Sequence, residues 1–140
     1  SAFFLGYKKT DLACGERVRE IVIPYAPGSW FHFEKVSNRK ILDIAAVNTA
    51  ILIRAGVDGT LADMRLSVGG VAPIPLLIPG LDALMGRSMH AGMADAVVQA
   101  ATGAAKPIDD IRGTAAYKKL LLEQLVRAHF AAYRTGGQTE

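Results

Sequence analysis

Lys35, Arg39, Lys40 and Asp43 put three cations and one acid within nine residues. Trp30, Phe31 and Phe33 come before them, and Ile44, Ala45, Ala46 and Val47 come after. A charged segment between two apolar ones reads as a loop crossing the rim of a core, and rims are where ligands bind. What such side chains can offer a ligand is positive charge.

Other site chemistries find no footing. His32, His90 and His129 are scattered, and none lies four residues from another His or Cys, so a zinc site is not expected. Gly69-Gly70 has no third glycine and runs into prolines rather than a helix; it reads as a strand-ending turn, not a dinucleotide fingerprint or a P-loop. Asp109 and Asp110 could form an acid pair, but acids just before a helix suit capping and the helix dipole. No serine has a Gly-x-Ser-x-Gly setting. His90, beside Met89 on a short apolar helix, reads as a structural histidine. The single cysteine, Cys14, sits in a polar turn and cannot form an internal disulfide, which fits a reducing, cytoplasmic compartment.

The elements that must position the charged stretch follow from pattern. Residues 3–11 start apolar and turn polar, an extended lead-in before a turn through Cys14 and Gly15. Residues 16–25 hold three consecutive β-formers and predict a strand ended by Pro24. Ala26-Pro27-Gly28-Ser29 is a turn. Residues 30–36 predict a second strand with Phe31, Phe33 and Lys35 on one face and Trp30, His32 and Glu34 on the other. From Val47 to Arg54 a β-branched run predicts a strand, Gly56-Val57-Asp58-Gly59 a hairpin turn, and residues 61–68 the return strand. Pro73, Pro75 and Pro79 keep the next segment extended. Residues 81–86 predict a short helix and residues 89–101 a longer one with a stripe of Ala91, Ala94, Val97, Val98 and Ala101. Thr114 is a candidate N-cap for a last helix from Ala115 to about Arg134. Its apolar side is read as Tyr117, Leu121, Gln124, Leu125, Ala128 and Ala132, widened by Leu122, Val126, His129, Phe130 and Tyr133. Strands first and helices second predict an α+β fold: a small antiparallel sheet of three to four strands, covered on one face by about three helices.

The chain has 140 residues, 51% of them apolar, which suits one domain with a real core. Its net charge of +3 is too mild and too dispersed for a nucleic-acid binder. No apolar run reaches the roughly 20 residues of a membrane span, and the N-terminus has no signal-peptide pattern. The absence of a starting Met suggests a chain cut from something longer. Between Arg112 and Arg134 five cations, with Lys118, Lys119 and Arg127, face only Glu123, a local net of +4. A solvated helix face explains that most simply; the alternative is a non-enzymatic interaction module that docks an acidic partner.

Five motifs in order resemble one family. Phe-Phe-Leu-Gly-Tyr-Lys-Lys-Thr at residues 3–10 is similar to the Phe-Phe-x-Gly-Tyr-Arg-Lys-Thr of the FAD-binding unit of molybdenum hydroxylases, the xanthine dehydrogenase, aldehyde oxidase and carbon monoxide dehydrogenase relatives. Ile-Val-Ile-Pro at 21–24 resembles the Ile-x-Ile-Pro that follows. Phe33-Glu34-Lys35, Arg39 and Asp43-Ile44-Ala45 resemble a Phe-x-Lys…Arg…Asp-Ile-Ala segment. Leu66-Ser67-Val68-Gly69-Gly70-Val71-Ala72 resembles a Leu-x-x-Gly-Gly-Val-Ala turn, and residues 109–117 resemble the Asp-Asp-x-Arg-Gly-Ser-x-x-Tyr run into the last helix.

The resemblance implies the C-terminal half of an FAD-binding unit, residues 1–140 as a single domain, with the half that grips most of the FAD absent. It implies FAD contacts at Lys35 and Val18, and no catalytic or metal-binding residue on this chain. The loop at 36–42 would lie near the flavin and influence acceptor access. A reduced flavin tends to carry negative charge, which a nearby ammonium stabilises. Electrons would pass from 2Fe-2S clusters through FAD to NAD or another acceptor. Those clusters and the molybdopterin would sit on other domains or subunits, which are the implied partners, with no nucleic acid and no membrane.

Overall fold

A computed structural model describes residues 3–89 and 91–136. The expected α+β architecture is present. β3 (Ser29–Val36), β4 (Val47–Ala55), β5 (Leu61–Gly69) and the short β6 (Leu76–Leu77) form one antiparallel sheet in that order. Ahead of it β1 (Phe4–Gly6) and β2 (Lys9–Thr10) make a two-stranded ribbon. A single 3-10 turn, Leu81–Leu84, leads to α1 (Ala91–Ala104) and α2 (Ala115–Gly136). Among the described residues the helical layer is therefore two α-helices and one short turn.

The sheet is two-faced because its strands alternate. Along β4, Val47, Thr49, Ile51 and Ile53 are buried. α2 lies across β3 and β4 on that side, and α1 lies against α2. In β5 Met64, Leu66 and Val68 join the same core, as period-two patterning requires. Leu61 joins it too, out of phase, because the pairing slips between Arg54 and Ala55: Arg54 faces Asp63 while Ala55 faces Leu61. A bulge of this kind turns the extra residue, Ala62, outward. Gly69-Gly70 ends β5 as expected. Gly70 has φ +83°, and a Cβ there would run into the Ala46 carbonyl oxygen, so glycine is required on two counts.

Two expectations are corrected. Residues 16–25 form no strand. Ile21, Val22, Ile23 and Tyr25 are 77–90% exposed, and no strand lies beyond the β3 edge among the described residues. β-propensity describes fit to a half-buried pleated surface, and without a neighbouring strand the segment stays irregular.

The buried face of α2 is also rotated from the expected one. It carries Lys118, Leu122, Leu125, Val126, His129, Phe130 and Tyr133, while Tyr117 is 43% exposed. The set expected to widen the stripe is its centre, because a buried, paired lysine, Lys118, extends the buried face on that side. The N-cap is confirmed: Thr114 Oγ1 accepts from the Tyr117 amide at 3.1 Å. α1 buries Met93, Val97, Val98 and Ala101. His90, expected to be structural, lies outside the described residues.

Candidate functional site

The helices cover one face of the sheet, and the other face is open. Phe31 and Phe33 stand on it, 63% and 52% exposed. Register places Leu52 opposite Phe31, Ala50 opposite Phe33 and Asn48 opposite Lys35, and carries the same face on to Arg65, Ser67 and Gly69 of β5. The result is an apolar, partly aromatic shelf with polar ends. At the Ser29 end, residues 23–27 come down beside Leu52, Arg54, Asp63 and Arg65 and enclose a hollow of about 540 Å³.

At the opposite end the charged stretch forms a closed loop. The Ala46 amide donates to the Val36 carbonyl at 2.8 Å, pinning its two ends. Asp43 organises the interior. Its Oδ2 accepts from the Arg39 amide at 2.9 Å, and the Arg39 guanidinium lies 3.7 Å from Oδ1. The Arg39 guanidinium also donates to the Leu42 carbonyl at 2.9 Å. The Arg39 amide, helped by the guanidinium charge, holds the Asp43 carboxyl below its ordinary range. Leu42 adopts φ +51°, a left-handed conformation costly for a branched side chain; it turns the chain so that the Asp43 carbonyl faces β3. Lys35 Nζ donates to that carbonyl at 2.7 Å while the side chain remains exposed.

Lys35, Arg39 and Asp43 are thus brought into one network, with Asp43 as a structural anchor and Lys40 exposed at the loop surface. Val18 stands outside it, 51% exposed on the irregular 16–25 segment. Ile41, Leu42 and Ile44 are 76%, 90% and 67% exposed, an apolar tip on a charged loop.

A cavity of about 480 Å³ opens beside residues 44–46, lined by Tyr7, Ile44, Asn48, Pro73, Ile108 and Lys118 among others. Its floor carries a group that pattern reading missed. Lys118 is 2% exposed, with Nζ 2.8 Å from Asp110 Oδ1 and donating to the Ile108 carbonyl at 2.9 Å. Lys118, with the Arg112 amide, holds the Asp110 carboxyl below its usual range. Asp109 takes the capping role expected for the pair: its Oδ1 accepts from the Ala115 amide at 2.6 Å. The sequence signal for Lys118 was an acid eight residues upstream in the loop that starts its own helix.

These pairings dissolve the basic stripe. Arg112 and Lys118 meet Asp110, and Arg127 meets Asp95 at 2.7 Å and Glu123 at 3.1 Å. Of the five cations, only Lys119 and Arg134 make no ion pair among the described residues. A uniformly charged docking helix is not what α2 presents. No helix among the described residues is long and apolar enough to cross a membrane.

Comparison with known proteins identifies the fold. The family model described as the CO dehydrogenase flavoprotein C-terminal domain matches residues 32–133. The carbon monoxide dehydrogenase medium chain of Hydrogenophaga pseudoflava is 32% identical over 127 residues, covering 89% of this chain and 44% of that one. The nicotine 6-hydroxylase medium subunit of Paenarthrobacter nicotinovorans is 30% identical over 125 residues, covering 89% and 43%. The chain therefore spans less than half the length of these relatives. A solved structure of carbon monoxide dehydrogenase from Hydrogenophaga pseudoflava superposes with a TM-score of 0.82 at 31% identity, covering 91% of this chain and 44% of that one. Quinoline 2-oxidoreductase from Pseudomonas putida 86, at 24% identity and a TM-score of 0.84 over 99% of this chain and 48% of that one, shares the fold. With a match over residues 32–133 that takes in most of the sheet, the Lys35 loop, α1 and most of α2, this chain belongs to the CO dehydrogenase flavoprotein C-terminal domain family.

Proposed function

We propose that this chain is the C-terminal part of the FAD-bearing subunit or domain of a molybdenum hydroxylase. The carrying observation is the sheet face free of helices, where Phe31 and Phe33 are exposed and Lys35 ends the same strand with its ammonium at the surface. Those residues fit a flavin. A flat apolar shelf suits the faces of a planar ring system, and a held ammonium suits one that gains negative charge on reduction. When bound, FAD would supply the electron transfer. The chain's own work is to shield one side of the ring from water, fix Lys35 through the Asp43 carbonyl, and stabilise the reduced form by charge. Val18, on the exposed segment beside the shelf, is assigned an apolar contact to the cofactor.

Two further observations support a half-site. The chain spans less than half the length of its relatives, and an exposed run of Ile21, Val22, Ile23 and Tyr25 needs a covering surface. A preceding FAD-gripping half would provide it. The relatives are named as medium chains or subunits, which supports partner subunits; on this reading those carry the iron–sulfur clusters and molybdenum cofactor and deliver electrons to the flavin, in a cytoplasmic, xanthine dehydrogenase-like assembly. The cavity beneath Ile44, next to the Lys35 loop, is assigned to the side from which NAD or another acceptor approaches. The test is to express the full-length protein and record its flavin absorbance and potential, for the parent and for Lys35→Ala. A flavin-free full-length protein would overturn the reading. A bound flavin whose potential and affinity ignore Lys35→Ala would remove Lys35 from it.

A further inference from the structure

His129 of α2 is fully buried, and both its ring nitrogens are engaged. Nε2 lies 2.8 Å from Thr49 Oγ1 of β4, and Nδ1 lies 2.8 Å from Nδ1 of His32 on β3. The two imidazoles meet edge to face, at 86°. His32 Nε2 in turn sits 3.6 Å from Glu34 Oε1, nearer the surface. Trp30 stacks on His32 and also packs edge-on against Tyr133, one turn beyond His129. A line of polar groups therefore runs from a solvent-side carboxylate into the core, and it ties the last helix to the two strands it crosses.

Proton counting constrains this line. A contact of 2.8 Å between two Nδ1 atoms needs one hydrogen between them and a lone pair on the other side. With both rings neutral, His129 can donate from Nδ1 to His32, accept at Nε2 from the Thr49 hydroxyl, and leave the His32 Nε2 hydrogen pointing at Glu34. One added proton is also accommodated. His32 becomes the cation, pairs with Glu34 at 3.6 Å and donates to His129, and His129 changes tautomer so that Nε2 donates to Thr49. A second added proton has no place, because two Nδ1–H groups would face each other.

We propose that the His32–His129 pair is a one-proton lock: it holds α2 on β3 and β4 while neutral or singly charged, and a second proton pushes the helix off the sheet. Groups on all sides agree with this assignment. On β3 the facing groups are His32 and Glu34, on β4 the hydroxyl of Thr49, and on α2 itself the Tyr133 ring reached through Trp30. The nearest acid of α1 with an ion pair to α2, Asp95, is engaged by Arg127 on the solvent side. None is a carboxylate placed to neutralise a cationic His129. Burial, then the charge of His32, lowers the His129 pKa to about 4, the direction the geometry demands.

The test uses the full-length protein labelled with ¹⁵N-histidine. Ring nitrogen shifts, assigned through His32→Gln and His129→Gln, are followed with pH alongside amide hydrogen exchange of α2, corrected for intrinsic rates. One ring of the pair is expected to take a proton while the other stays neutral. Protection of α2 is expected to fall about tenfold per pH unit once the helix-released form binds one proton more than the locked form. In His32→Gln the amide can turn to offer either a donor or an acceptor, so the slope becomes shallower. Two rings that titrate together in one range with α2 protection unchanged would overturn the lock, as would an unchanged slope in His32→Gln. Should that variant not fold, the parent's nitrogen shifts and its slope decide the matter alone.

Discussion

Lys35 Nζ donates to the backbone carbonyl of Asp43 at 2.7 Å, across the mouth of a loop whose ends are themselves hydrogen-bonded. An exposed lysine on an edge strand would ordinarily sample many rotamers. Here the carbonyl fixes the stem while the charge stays at the surface beside the open shelf. Charge held in place, and not spent in an ion pair among the described residues, is what electrostatic tuning of a bound group needs.

Lys35→Ala should therefore act on the bound flavin more than on the fold. A unit charge several ångströms away at intermediate dielectric is worth about 1–3 kcal/mol, which for a two-electron couple is on the order of 20–60 mV. Redox titration of the full-length protein should show a shift to more negative potential, since loss of the cation disfavours the reduced anion. Thermal stability should change little.

Gly70 and Gly59 form a contrasting pair. Both have positive φ, +83° and +75°, but only at Gly70 does a Cβ meet a backbone carbonyl. Gly59→Ala should cost about 1 kcal/mol for the left-handed conformation. Gly70→Ala should cost at least about 2 kcal/mol more, because Ala46 borders the Lys35 loop and its backbone cannot yield without disturbing β4. Urea denaturation would measure both, and equal costs would contradict the steric argument.

Lys118 offers a test of burial against pairing. Lys118→Ala leaves Asp110 and the Ile108 carbonyl without their partner and opens space beneath the cavity, so a loss of roughly 3–5 kcal/mol is expected. Lys118→Met keeps the volume and, combined with Asp110→Asn, should recover most of that loss. The double variant's denaturation midpoint is the measurement, and one no better than Lys118→Ala would show that the ion pair itself is required.

His129 sets the sign of the acid response. Its folded pKa is lowered from 6.5 to about 4, so between those values the unfolded chain binds the proton and the native chain does not. Stability should be unaffected by this group above pH 6.5 and fall by ~1.4 kcal/mol per pH unit between there and about 4. Denaturation at a series of pH values should show that slope in the parent protein and lose it in His129→Gln.

The strand alternation of residues 30–36, the return strand at 61–68 (though not its bulge, which buries Leu61 against the expected phase), the hairpin at 56–59, the Gly69-Gly70 turn and the Thr114 cap were legible from the sequence because each is local. Period-two burial, turn chemistry and capping depend on residues within a few positions of one another. The charged loop was legible for the same reason; Asp43 as its anchor came from the structure. Residues 16–25 were misread because a strand needs a neighbour, and their composition says nothing of whether one exists. The face of α2 was misread because Lys118 is made burial-competent by Asp110 and Ile108; His129, read at the edge of the apolar band, is held inside by residues 80 and 97 positions away. Local pattern determined which elements form and where they turn. Only the tertiary structure decided which sheet face stays open and which polar groups go inside, because both depend on partners that chain folding brings from far along the sequence.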